Sequence, residues 1–337
     1  MSRTRPLTVL SAVAATALLL TACSSGDSSD DASGGSSASD LTIGFAMPDA
    51  SVTYWTAYVN GVQDRADELG VDVTFTDAGD DANTQLEQVN SLVVTGVDGI
   101  VLPPIDTTSL LGAATAAQDA GIPLITSNRA LDTTYGGVDG ENPLVHVGFN
   151  DVEIGKQQGE MVVDLCADID PCQVALLMQP LGSTPQIERT EGFKDVVEQE
   201  SNIQIVSEQS DDLDTNTAMA LAGTIVQQYP DLDVLASQYD DTAVAAAQAI
   251  DEAGVDSVQV VGIGGSKSGV AAVEDGTLYG TVWVSPRNDG ADALSAIVSI
   301  LRGEDLTDLQ DVNGRPTVPV DLVKVTADNA ADYPGEW

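Results

Sequence analysis

The sequence predicts an α/β protein of two lobes, each a parallel sheet covered by helices. Three observations carry that expectation. From Leu41 onward, short apolar runs alternate with amphipathic stretches at an almost steady interval, the pattern of parallel strands joined by crossover helices. The alternation falls into two series of about five strands, where a barrel would continue evenly through eight units. The apolar content, 43% of the chain with only 4% aromatic, is mostly Ala, Val, Leu and Ile, which suits strands buried on both faces. The 337 residues are enough for two such units at roughly 100–200 residues each.

The organising stretch is Leu41 to Gly70. An apolar run, Leu41–Met47, is followed by a turn-rich loop, Pro48 to Thr53, and then by Thr53–Leu69, where Tyr58, Val62, Ala66 and Leu69 fall at helical spacing. The loop delivers Tyr54 and Trp55 to the end of a first strand, the edge of an open parallel sheet where ligands bind. Strands are expected next at Val71–Thr76, Gly99–Leu102, Pro123–Thr126 and Val145–Phe149, with helices Ala82–Thr95 and Thr107–Ala120 between them. The second series reads as helix Val152–Cys166, strand Val174–Met178, helix Gln186–Glu200, strand Ile203–Ser207, helix Asn216–Gln228 and strand Val234–Ala236. It continues through helix Thr242–Ala253, strand Val258–Ile263, helix Ser268–Glu274 and strand Tyr279–Val284. Helix Asn288–Leu301 and a terminal extended run, Val318–Val325, complete it.

Ahead of this body stands an export signal over residues 1–22: Arg3 and Arg5, then the apolar Leu7 to Leu20, then Leu20-Thr21-Ala22-Cys23. The last four residues resemble a bacterial lipobox, which implies a lipidated Cys23 as the first mature residue; the alternative is an ordinary secretory signal. Ser24 to Asp40 carries no apolar side chain larger than Ala and is expected to be a flexible Ser/Gly/Asp leash with a mean reach of roughly 23 Å. No other run approaches a membrane span. The expected location is therefore extracytoplasmic, anchored by lipid to the outer face of the cell membrane.

The net charge of −41 repels nucleic acid and anionic lipid. Cys166 and Cys172, in LCADIDPCQ, lie in an export context that permits a disulfide. His146, the single histidine, has no sulfur partner near it in sequence, so neither a metal site nor a cofactor is expected. Enzymatic chemistry finds no foothold. The run GIGGSK, Gly262 to Lys267, misses both the dinucleotide and the phosphate-loop spacing, and no Gly-x-Ser-x-Gly elbow is present.

The runs VTGVDGIVLPP (Val94–Pro104), AGIPLITSNR (Ala120–Arg129), VGFNDVEIGKQQGE (Val147–Glu160), ERTEGF (Glu188–Phe193) and VVGIGG (Val260–Gly265) together resemble the periplasmic sugar-binding proteins of the ribose and galactose type. These are the type I solute-binding components of ABC importers. The resemblance implies two Rossmann-like lobes with parallel sheets, joined by a three-crossover hinge and closing on a ligand. On this chain the N-terminal lobe would comprise residues 41–149 and 286–316, and the C-terminal lobe 150–285 and 317–337. The crossovers would fall near Asn150, near Ser285-Pro286 and near Thr317.

The same resemblance implies the site. Tyr54 and Trp55 match positions where aromatic rings stack on a sugar face, with one of the two open to serve the core instead. Asn128-Arg129 match a position that usually reads Asp-Arg. Phe149 and Asn150 sit at the first crossover, where Asn150 either contacts ligand or caps the following helix. Arg189 could face the cleft, although the family's arginine aligns nearer Ile187. Tyr239 takes the place of an Asn, while Asp240 keeps the acid. Ile263-Gly264 stand where Phe-Asp is common, and Trp283 would supply aromatic surface in their stead. The function implied is capture of a small sugar or polyol and delivery, as a monomer, to an ABC permease. The alternative is a surface sensor signalling to a membrane receptor or kinase.

Overall fold

A computed structural model describes residues 41–131, 144–312 and 314–337. The signal, the leash and Cys23 lie outside the described residues. Two sheets organise the body. The first contains β1 (Thr42–Met47), β2 (Asp72–Asp77), β3 (Gly99–Leu102), β4 (Leu124–Ser127), β5 (His146–Gly148), β11 (Gln310–Val312) and β12 (Arg315–Pro319), in the order β11-β12-β5-β4-β3-β1-β2. The second contains β6 (Cys172–Met178), β7 (Ile203–Ser210), β8 (Leu232–Ser237), β9 (Gln259–Gly264), β10 (Gly280–Trp283) and β13 (Val323–Thr326), in the order β13-β10-β9-β8-β6-β7. Pairing is parallel except at β11–β12 and β10–β13.

Each strand feeds side chains to both faces, as buried parallel strands must. In the first sheet, Ile43, Phe45 and Met47 meet the helices α1 (Thr53–Leu69) and α9 (Pro286–Arg302). On the other face, Ala46, Ile100 and Leu102 meet α2 (Ala82–Thr95) and α3 (Leu111–Asp119). In the second sheet, Val174, Leu176 and Val261 meet α4 (Asp151–Cys166) and α5 (Thr184–Val197). Ala175, Leu177 and Leu235 meet α6 (Thr215–Gln228), α7 (Asp240–Glu252) and α8 (Lys267–Glu274). Cys166 and Cys172 are joined by a disulfide between the end of α4 and the start of β6.

Several elements differ from expectation for local reasons. Asp106 accepts the amides of Thr108 and Ser109, which makes a turn of the segment before α3 and delays the helix to Leu111. The extended run Val318–Val325 is divided. Its first part belongs to β12, where Thr317, Val318 and Pro319 pair with His146, Val147 and Gly148; its last part is β13, paired with β10. The amide of Val320 still donates to the carbonyl of Gly148 at 3.0 Å, and the chain passes between the sheets over residues 321–322, a few positions after Thr317.

The passages between sheets are three: β5 into α4, β10 into α9, and β12 into β13. The second brings α9 back against α1 at very close range. A Cβ at Gly61 would stand 2.0 Å from the carbonyl oxygen of Arg287, and one at Gly290 would stand 2.4 Å from that of Tyr58. The second lobe repeats the device, since a Cβ at Gly192 of α5 would stand 1.9 Å from the carbonyl oxygen of Val152 in α4. Gly61→Ala is expected to lower unfolding stability in urea by about 1–3 kcal/mol, the usual cost of overpacking. Gly223→Ala, in α6 with nothing within 4 Å of the added carbon, is expected to raise it by about 0.5–1 kcal/mol.

Candidate functional site

The carboxyl ends of β1, β3, β4 and β5 form one edge, and those of β6, β8, β9 and β10 form another. Helix N-termini gather at both. Buried amides hold the strand ends in place. Gln85 of α2 donates to the carbonyls of Ala46 (2.8 Å) and Pro103 (2.9 Å) and accepts from the amide of Ile105 (3.0 Å). In the second lobe Gln158 of α4 donates to the carbonyl of Ser237 at 2.7 Å.

On the first edge a buried carboxylate acts as hub. Asp289 lies in the first turn of α9, whose start is set by Ser285 as cap and Pro286. Its Oδ1 accepts from Ser127 Oγ at 2.8 Å. Its Oδ2 accepts from Asn128 Nδ2 at 3.2 Å and from the Tyr54 hydroxyl at 3.4 Å. Asn128 also donates to the Tyr54 oxygen at 2.7 Å. Tyr58 donates to Ser127 at 2.8 Å behind them. Asn128 has φ 63°, a left-handed conformation that Asn tolerates better than most residues. Burial raises the Asp289 carboxyl from 3.8 to about 7, against the opposing donors Ser127, Asn128 and Tyr54. Burial, with Asp289 beside it, likewise holds the Tyr54 phenol well above its ordinary value.

On the second edge Arg189 of α5 is fixed by Asp151, whose Oδ1 accepts from Nε at 2.7 Å, and by the carbonyl of Gln238, which accepts from Nη1 at 3.1 Å. Gln238 is itself locked by Gln179 and Thr190. Beside it Tyr239 precedes α7, half-buried and stacked on Trp337. The lobes meet across the gap. Trp337 also touches Tyr54 edge-on at 5.8 Å, and Arg315 of β12 pairs with Glu188 of α5 at 3.0 Å.

The structure places Tyr54, Asn128, Arg189 and Tyr239 at the facing edges of the two lobes, and it gives the other candidates different surroundings. Trp55 is 8% exposed and packs in the core of the first lobe, behind Tyr54; helical geometry turns the residue after Tyr54 inward onto β1. Trp283 is buried, its Nε1 donating to the carbonyl of Pro334 at 3.2 Å. Asp240 is fully buried beneath the site. Its Oδ1 accepts from Thr281 Oγ1 at 2.7 Å and its Oδ2 from the amide of Ser266 at 3.0 Å. Burial raises its carboxyl to about 6, and its oxygens are spent within the lobe. Phe149 packs against the cores of both lobes. Asn150 caps α4 by accepting the amide of Glu153. Arg129 is exposed at the first edge, its Nη1 donating to the carbonyl of Ile105.

The sequence reading missed Asp289 and Trp337. Ser285-Pro286 followed by an acid three residues later is a helix-start signal that places Asp289 at the edge. Trp337 is one of only three tryptophans, but nothing in its local sequence brings it to the cleft.

Two parallel-sheet lobes whose strand ends face each other across aromatic and hydrogen-bonding side chains define a two-lobed solute-binding protein. Residues 43–305 match the periplasmic binding protein domain, and the chain belongs to that family, whose members bind a solute outside the cytoplasm; it is a binding protein and not an enzyme. It is similar to a xylitol-binding protein of Mycolicibacterium smegmatis, 28% identical over 98% of this chain and 90% of that one. It is also similar to the ribose import binding protein of Bacillus subtilis, 27% identical over 79% and 83% of the respective chains. Among solved structures, a solute-binding protein of Bacillus halodurans with bound myo-inositol superposes with a TM-score of 0.73 at 25% identity, covering 90% of this chain and all of that one.

Asp289 gives the site a pH signature. Between 3.8 and about 7 the folded carboxyl keeps a proton that the unfolded chain has released, so its contribution to stability is complete at low pH and is lost as pH rises through that window. Asp289→Asn removes this titration. From about pH 5 to about pH 8, the unfolding free energy of the variant is expected to shift in its favour relative to the parent, by a few kcal/mol at most. A difference that stays flat over that range would contradict a raised carboxyl.

Proposed function

We propose that the protein captures a neutral sugar or polyol between its lobes and presents it, as a monomer, to an ABC permease, while tethered to the membrane through a lipid on Cys23. The observation that carries this reading is the facing of Tyr54 and Asn128 on one edge by Arg189 and Tyr239 on the other. Aromatic faces complement the C–H face of a polyhydroxylated solute, and the fixed amide and guanidinium donors take its hydroxyls. Charge supports a neutral solute. Arg189 is already matched by Asp151, Asp289 and Asp240 lie beneath the edges, and the chain carries −41 overall, so a carboxylate or phosphate on the ligand would meet repulsion. The relatives named for xylitol and ribose, and the solved structure holding myo-inositol, bind solutes of this kind.

Calorimetric titration with xylitol, ribose, galactofuranose and myo-inositol, set against glucuronate and ribose 5-phosphate, is expected to show saturable binding of at least one neutral compound and none of the anions. Tyr54→Ala is expected to weaken the bound compound about tenfold or more, since stacking and hydrogen bonding are both lost. Trp55→Ala is expected to lower stability instead, by about 3–5 kcal/mol, as the loss of a core indole does. Binding restricted to the anions would overturn the reading. For the tether, Cys23→Ser should release the exported protein from the membrane fraction, and retention of that variant would count against a lipid at Cys23.

A further inference from the structure

We propose that the segment Pro334–Trp337 is part of the ligand site, with the Trp337 indole forming one wall and its Nε1–H donating to a ligand hydroxyl. The proposal rests on the binding cleft described above and adds a residue that lies beyond the matched family region, which ends at 305. The segment follows the 3-10 turn Ala330–Asp332 and is pinned from end to end. The Pro334 carbonyl accepts from Trp283 Nε1 at 3.2 Å. The Glu336 carboxylate accepts from Ser285 Oγ at 2.9 Å and from the amide of Arg287 at 3.2 Å, at the passage from the second lobe back to the first. The Trp337 carbonyl accepts from the amide of Lys267 at 2.9 Å, at the start of α8.

These bonds deliver the indole to the space between the lobes. It stacks on Tyr239 at 5.6 Å with the rings 28° apart, and it meets Tyr54 edge-on at 5.8 Å. The seat is made by Gly264. Its φ of 149° suits glycine, and a Cβ there would lie 3.3 Å from Trp337 Cζ2 and 3.1 Å from Asp240 Oδ2. A Cβ at 264 would press on the edge of the indole, and glycine lets the ring sit this close. Trp337 Nε1 is buried yet has no hydrogen-bond partner among the described residues. A buried indole N–H ordinarily finds an acceptor, and between Tyr54 and Tyr239 the acceptor that fits is a hydroxyl oxygen of the solute. The ligand class that follows is a small neutral polyol or sugar with one apolar face for the ring and a hydroxyl at its margin for the N–H.

The test uses the whole chain and the neutral panel above. Trp337→Ala should weaken the compound that the parent binds about tenfold or more. Trp337→Phe, which keeps a ring and removes the donor, should fall between the two. Parent-like melting of both variants would assign the loss to the site rather than to the fold. Unchanged affinity in Trp337→Ala overturns the proposal. Tighter binding overturns it too, and identifies the indole as a plug that the ligand must displace. A parent that binds no compound of the panel overturns the cleft reading itself, and this proposal with it.

Discussion

A carboxylate withdrawn from water at the start of α9 holds the ligand-facing edge of the first lobe together. Asp289 takes donors from Ser127, Asn128 and Tyr54, which come from the end of β4, the turn after it and the first turn of α1. None of these segments is rigid alone, and the hub makes them one surface. The hub depends in turn on the chain's return from the second lobe at Ser285-Pro286. It depends also on the glycines that let α9 lie against α1 closely enough for Asp289 to reach the edge. The Tyr54–Asn128 surface of the first lobe is thus held by a helix that begins where the chain returns from the second lobe.

The second edge is built differently. Arg189 is held by Asp151, which opens α4 just past the first passage between lobes, and by the carbonyl of Gln238. Glu188, one residue before it, reaches Arg315 in the opposite lobe. Both side chains of that pair are more than four-fifths buried, so their attraction is screened less than that of a surface pair. Together with the contact of Trp337 and Tyr54, it joins the two lobes across the gap. Glu336, bonded at Ser285 and Arg287, ties the tail that carries Trp337 to the hinge as well.

The sequence made the architecture readable because burial of parallel strands on both faces leaves an apolar signal that period and length can resolve. β1, β3 and α1 lie where that signal puts them, and loop Pro48 to Thr53 delivers Tyr54 to the edge. The site was legible mostly where it sits at the ends of those elements, as with Tyr54, Asn128 and Tyr239. Trp55 and Trp283 carry the same residue type but turn inward, and no one-dimensional pattern separates a ring that faces ligand from the ring that supports it. Asp240 shows the converse, an acid at the expected strand end whose oxygens are consumed by Thr281 and Ser266. Asp289 and Trp337 reach the cleft from residues 235 and 283 positions after Tyr54. Such distant contacts arise from how the lobes are connected, which periodicity does not encode.

The most direct measurement is a crystal structure of the protein grown with the neutral compound that calorimetry finds it to bind. The account predicts the solute between the lobes, its apolar face against the Tyr239–Trp337 pair or Tyr54, and its hydroxyls within hydrogen-bond distance, about 2.7–3.2 Å, of Asn128, Arg189 and Trp337 Nε1. A solute bound on an outer face, or held in the cleft by side chains other than these, would contradict it.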